Sequence, residues 1–239
     1  MKISSGSEEF DYWLGGYEKG IITTFYGPAG SGKSNFCLMA AAKQALQGNK
    51  VVFIDTEGGF SIDRLQQLIP DQYIDNIILL KPTNFTEQIL SFEKLLGLLD
   101  KKIALIIVDS MVMLYRLKMG EANQTKDLPK VTAVNRALVK QLRVLNEIAR
   151  KNDIPVLITN QVYREFLPQV DFEAGKQPGV QPVAGDILRY WSKCILELQN
   201  LEKSKKRAIL RKHRSLPTKQ FTFRILNSGI EKIKFKLFH

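Results

Sequence analysis

The chain is poor in cysteine, with only Cys37 and Cys194 among 239 residues. Two isolated thiols fit no metal-binding spacing and cannot build a disulfide scaffold, so they read as reduced thiols of an intracellular protein. Long apolar runs are also missing. No window holds ~18 uncharged apolar residues, which argues against a transmembrane helix. The opening residues, MKISSGSEEFDYW, lack the apolar stretch of a signal peptide. Internal repeats and low-complexity segments are absent. Hydrophobic residues make up 44% and charged residues 25%, so the chain is no disordered tail and can bury a core. Its length suits one domain over 1–239.

Residues 1–202 lack net charge. The chain carries 35 Lys and Arg against 24 Asp and Glu, and the whole +11 falls in residues 203–239, which hold twelve cations and one acid, Glu231. Such a block attracts a polyanion such as nucleic acid, or an acidic partner. A soluble basic surface with no dedicated partner is the plainer alternative.

Along the chain, strand and helix patterns alternate, predicting an α/β fold with a mostly parallel central sheet flanked by helices. Strands are expected over 21–27, 50–56, 75–81, 103–110 and 154–162. Helices are expected from Ser34 to Leu46, from a Thr86 cap to about Leu99, and over 130–152, where Val131, Val134, Leu138, Leu142, Leu145 and Ala149 form one apolar line. Residues 116–129 read as a polar connection and 163–186 as a long irregular stretch, a type of segment that often carries function. Four further strand patterns at the C-terminus predict an antiparallel β-meander on the edge of the sheet, with a turn at Asn227-Ser228-Gly229. The resulting division is a lead-in (1–20), a core (21–200) and a basic β-rich part (201–239).

The sharpest motif is GPAGSGKS: Gly27, Pro28, Ala29, Gly30, Ser31, Gly32, Lys33 and Ser34. It fits G-x-x-x-x-G-K-[ST] between a predicted strand and a predicted helix. Glycines let consecutive amides curl around one centre, and the helix start adds positive dipole. Lys33 can place its charge between two phosphates, and the Ser34 hydroxyl can ligate Mg²⁺. Asp109 ends the strand IALIIVD, where it can hold the same ion through water; a turn or helix-cap role is the alternative. Glu57 follows the strand VVFIDT and can polarise an attacking water, or be a surface acid at a loop start. Asp55, just before, fits a packing or supporting role. Gln161, ending ITNQ, can hydrogen-bond a γ-phosphate, and a plain polar strand end fits it equally well.

Taken together, LGGYEKGIITTFYGPAGSGKS, FIDTEGGFSIDRL, LIIVDS and ITNQV resemble, in order and spacing, the ATPase core of the RecA/RadA recombinase family, most of all a short archaeal paralogue. The resemblance covers residues 3–162 well and the remainder loosely. It implies a RecA-like P-loop NTPase fold with ATP and Mg²⁺ as cofactors. It also implies that Glu57 activates water, Lys33 and Gln161 serve catalysis, Asp109 serves the metal, Asn35 extends the nucleotide site and Arg64 packs on the adenine. Two DNA-binding loops are implied at Arg116–Lys126 and Tyr163–Gln181, with Arg116, Lys118, Arg164 and Lys176 as their cations. The tail would add Lys205, Lys206, Arg207, Arg211, Lys212 and Arg214.

About 20 residues precede the first core strand, leaving no room for the family's N-terminal DNA-binding domain and linker. The expectation is therefore an accessory protein of homologous recombination and repair, cytoplasmic and nucleoid-associated. It would bind DNA, hydrolyse ATP slowly in a DNA-dependent way, and assist a full-length RadA-type recombinase, with a junction-resolving nuclease as a further partner. A nucleotide-gated adaptor without hydrolysis is the alternative. A small-molecule P-loop kinase is disfavoured by Glu57, Gln161 and the basic tail. A relative of the replicative helicases would share the architecture.

Overall fold

The computed structural model describes residues 1–99, 103–164, 180–182 and 184–233. Twelve strands and seven α-helices are found among them. The short strands β1 (Lys2–Ile3) and β2 (Tyr17–Glu18) pair with each other around α1 (Glu8–Leu14). The core then runs β3 (Ile22–Gly27), α2 (Lys33–Leu46), β4 (Lys50–Asp55), α3 (Ile62–Gln66), β5 (Ile77–Leu80), α4 (Phe85–Leu98), β6 (Ile103–Asp109), α5 (Met113–Gln124), α6 (Leu128–Asn152) and β7 (Val156–Arg164). After it come β8 (Val180–Pro182), α7 (Gly185–Trp191), β9 (Cys194–Asn200), β10 (Lys206–Lys212), β11 (Gln220–Leu226) and β12 (Gly229–Lys232).

The main sheet has the order β12-β11-β10-β9-β3-β7-β6-β4-β5, with β8 on the extension of β7. From β9 to β5 all neighbours are parallel, and from β9 to β12 all are antiparallel. The expected parallel sheet and C-terminal meander are both present, and the meander continues the sheet directly through β9.

The central strands are apolar at nearly every position because both faces are covered. Ile22, Val52, Ile54, Ile106, Val108, Val156 and Ile158 face α4 and α6, where Phe92, Leu95, Leu138, Leu142 and Leu145 are buried. Phe25, Val51, Phe53, Leu105, Ile107 and Leu157 face the other way, onto Phe36, Cys37, Ala40 and Ala41 of α2. Val51 to Ile54 thus alternate between two cores, as a strand's two-residue period requires.

Two local expectations are corrected. Residues 113–124 form a helix, although the stretch from 116 was read as a polar connection. Leu114, Tyr115 and Ala122 are buried, so the segment has an apolar side, and Lys118 pairs with Glu121 one turn on. The α4 cap is Asn84, two residues before Thr86. Asn84 accepts from the Glu87 amide at 2.9 Å and donates to the Glu87 carboxylate at 2.8 Å, a reciprocal cap set by a glutamate three positions on. The lead-in is also more ordered than expected: Ser7 caps α1, and Phe10 is buried against Phe36 and Phe221 at ring-centroid distances of 4.6 and 5.4 Å. Burying such a ring is worth about 2–3 kcal/mol, which ties the N-terminal segment to α2 and the meander.

Candidate functional site

The sheet order explains how distant residues meet. The strands β3, β7, β6 and β4 lie side by side and parallel, so their C-terminal ends share one edge. In register, Gly27 stands opposite Gln161, and Asp55 opposite Asp109. Residues 27, 55, 109 and 161 therefore fall within three strand spacings, about 15 Å.

The phosphate-loop motif turns from β3 into α2. Gly27 has no room for a side chain: a Cβ there would stand 2.2 Å from the Leu198 carbonyl oxygen of β9. Gly32 caps α2 with φ +102°, a left-handed conformation that side chains disfavour. The first amides of α2 have no acceptor within the helix, and they face the loop's concavity with the positive end of the helix dipole. Lys33 is buried and donates to the carbonyls of Gly27 and Pro28, both at 2.9 Å. Burial pushes its ammonium below the usual lysine range, while Glu57 and Asp109 pull in the opposite direction.

Asp109 is almost wholly buried and accepts a hydrogen bond from the Thr159 hydroxyl through Oδ1. Its Oδ2 is buried and receives no hydrogen bond among the described residues. Burial pushes this carboxyl above the usual range, and the neighbouring Ser34 and Thr159 hydroxyls pull it back. An unsatisfied carboxylate oxygen beside a serine hydroxyl is a donor set that suits Mg²⁺. Among the described residues no group of three or more His, Cys, Asp and Glu can hold a metal, so an ion here would need a phosphate ligand's own oxygens.

An acid with a raised folded pKa costs stability once ionised; that cost is absent below the unfolded titration near pH ~4 and grows as pH rises through the folded value. Asp109→Asn is therefore expected to raise the nucleotide-free melting temperature at neutral pH, with the gain vanishing at about pH 4. The same substitution is expected to remove any Mg²⁺-dependent part of nucleotide stabilisation. Scanning calorimetry at the two pH values checks both, and a lower melting point at neutral pH without ligand would contradict the first.

Asp55 organises the loop that carries Glu57. Its Oδ1 accepts from the amides of Glu57 at 3.3 Å and Gly59 at 3.1 Å, and its Oδ2 from Phe60 at 3.0 Å. Thr56 bridges to the next strand end, accepting from the Ser110 amide and donating to the Ser110 carbonyl. Glu57 itself is exposed, and its Oε2 accepts from Gln161 Nε2 at 2.8 Å. One hydrogen bond thus joins the two side chains at the outer edge of the site.

Beyond Gln161, β7 runs on to Arg164 and pairs with β8 through Val162↔Pro182, Tyr163↔Gln181 and Arg164↔Val180. The second expected DNA loop therefore starts from a two-stranded base attached directly to Gln161. Lys176 lies outside the described residues. Arg116 and Lys118 are exposed on α5 rather than on a loop.

The meander forms one wall of the site, which residues so distant in sequence could not reveal. Asn200 Nδ2 donates to the Ala29 carbonyl at 3.1 Å, and Lys206 Nζ donates to the Gly30 carbonyl at 2.5 Å. Arg64 reaches the Leu226 and Asn227 carbonyls of the β11–β12 turn at 2.8 Å each, and also holds Asn35 Oδ1. Of the tail cations, Arg211 pairs with Glu197 and Arg214 with Glu18. Lys212 donates to the Arg189 carbonyl, Lys205 is exposed, and Arg207 is half-buried.

A parallel sheet ordered in this way, with a phosphate-loop motif on β3 and a meander continuing from β9, defines a RecA-like recombinase domain. The chain belongs to the Rad51 family, whose sequence profile matches residues 1–233. It is 40% identical to the DNA repair and recombination protein RadB of Methanobrevibacter smithii over 237 residues, covering 96% of this chain and 95% of that one. It is 39% identical to the RadB of Methanocaldococcus jannaschii over 222 residues, covering 91% and 96%. A crystal structure of the RadB recombinase aligns with a TM-score of 0.74 at 34% identity, covering 97% of this chain and 99% of that one.

Proposed function

We propose that this protein binds ATP·Mg²⁺ and DNA as an accessory of homologous recombination and DNA repair, hydrolysing ATP slowly and assisting a full-length recombinase. The relatives named for DNA repair and recombination support the process. In this reading the loop from Gly27 to Ser34 cradles the phosphates, and Lys33 neutralises the terminal pair. Ser34 and Asp109 would hold Mg²⁺, which supplies charge stabilisation to the transferring phosphoryl group. Glu57 orients and deprotonates water.

The observation that carries the reading is the 2.8 Å hydrogen bond between Gln161 and Glu57. A γ-phosphate competing for the Gln161 amide would break that bond, freeing Glu57 for water and shifting the β7–β8 base. Nucleotide state would thereby bias the DNA-facing loop. Glu57 is exposed, so the isolated chain holds its reaction centre in water, where charge stabilisation is weak. Slow turnover follows until a neighbouring chain covers the site. The same exposure favours the second reading, a nucleotide-gated adaptor for a recombinase or a junction-resolving nuclease, in which binding alone does the work.

The test is DNA affinity with ADP and with a non-hydrolysable ATP analogue. The native chain is expected to differ between the two nucleotides, and Gln161→Ala to erase the difference while keeping analogue affinity within ~3-fold. Equal DNA affinity in both nucleotide states of the native chain would contradict the coupling.

A further inference from the structure

At the other end of β3 from the phosphate loop lies a surface that the proposed nucleotide site does not use. The helix α7 sits between two clefts. One, of about 490 Å³, is bordered by Arg189, Arg211 and Lys212; the other, of about 500 Å³, by Arg150, Tyr190, Trp191, Lys193 and Arg214. The second cleft includes Gly20 and Ile21 at the start of β3, so it lies ~20 Å along the strand from Gly27. These cations come from four separate elements: the end of α6, α7, the lead into β9, and the end of β10 with the residues after it.

The carboxylates on this face are few and mostly spoken for. Glu197 is held by Arg211 and Glu18 by Arg214, which leaves Asp186 on the rim. Arg150, Arg189 and Lys193 are exposed, and none pairs with a carboxylate among the described residues. Lys212 stands close enough to Lys193 and Arg189 that their charges add to burial in lowering its pKa. In their midst Tyr190 is 73% exposed, its ring set edge-on to Trp191 at 5.4 Å.

We infer that α7 and its two clefts form a contact surface for single-stranded nucleic acid, with Tyr190 stacking on a base and Arg150, Arg189, Lys193 and Lys212 receiving phosphates. Unneutralised cations around an exposed ring are the combination that single strands require, because every unpaired base offers a π-face and every link a charge. A duplex hides its base faces by stacking, and an acidic peptide makes no use of the ring. The surface is separate from the expected loops at the C-terminal ends of the strands, so it gives the strand a second point of attachment. The inference rests on the DNA-binding reading above.

The test is fluorescence anisotropy with an oligo-dT strand on the full chain. Tyr190→Ala is expected to weaken binding by about 5–100-fold, and Tyr190→Phe to restore it. The triple variant Arg150→Gln, Arg189→Gln, Lys193→Gln is expected to reduce the salt-dependence slope by about 2. All these side chains are exposed, so ATP-analogue affinity and melting temperature serve as controls that stay at native values. Native affinity and slope in both Tyr190→Ala and the triple variant would overturn this surface while leaving DNA binding elsewhere intact. No binding of oligo-dT by the native chain would instead overturn the DNA-binding reading and this inference with it. Displacement by poly-glutamate that is unchanged in Tyr190→Ala would assign the surface to an acidic protein and overturn it likewise.

Discussion

Replacing Lys33 by alanine is expected to weaken ATP binding by about 10²–10³-fold while the chain stays folded. Lys33 donates to two carbonyls of its own loop, Gly27 and Pro28. On binding it would exchange them for phosphate oxygens, and hydrogen bonds between charged groups are worth about 1.5–3 kcal/mol each. The gain is larger than for a surface lysine because the ammonium is already desolvated, as its lowered pKa reflects. Truncation would also leave Glu57 and Asp109 without their nearest cation, adding repulsion against a triphosphate. The fold has other supports: Gly27 is locked under β9, and Asn200 and Lys206 hold Ala29 and Gly30 from the meander. Titration calorimetry gives the affinity and a melting curve gives the fold. Native affinity in a folded Lys33→Ala variant would remove the lysine from the binding account.

The second large effect is on turnover. Glu57→Gln is expected to reduce ATP hydrolysis by about 10²–10⁴-fold, the usual contribution of a general base. ATP affinity should remain within ~3-fold. The substitution suits the site because the amide oxygen can still accept from Gln161 Nε2, as Glu57 Oε2 does now. Geometry is preserved and only the base is lost. Phosphate release under single-turnover conditions, with and without single-stranded DNA, separates the two readings. A fall in rate with lost cellular repair supports the ATPase. Unchanged repair without turnover supports the adaptor.

The sequence made some of this legible and not the rest, for physical reasons. The phosphate loop is contiguous, so its glycines, lysine and serine announce their backbone geometry directly. Asp109 and Gln161 could be placed because each closes an apolar run that could only be a buried strand, and strand ends in a parallel sheet share an edge. What could not be seen was which strands are neighbours. The contacts of Lys206 and Asn200 with the loop depend on β9 pairing with β3 across some 170 residues of chain, and nothing local encodes that. Lys206 and Arg211 were legible as charge but not as partners, since Gly30 and Glu197 claim them only in the folded sheet. The helix over 113–124 was hidden by its polar side, although Leu114 and Tyr115 followed by Ala122 two turns later mark its buried stripe. Asp55 was placed as a supporting residue; its grip on three successive loop amides gives that support a geometry, since it sets the direction in which Glu57 points.

Titration of the native chain with a non-hydrolysable ATP analogue, with and without Mg²⁺, tests the central claim most directly. The account predicts one saturable site per chain, weakened when Mg²⁺ is withdrawn and lost in Lys33→Ala. Absence of saturable binding up to millimolar analogue, or binding indifferent to both Mg²⁺ and Lys33, would contradict it.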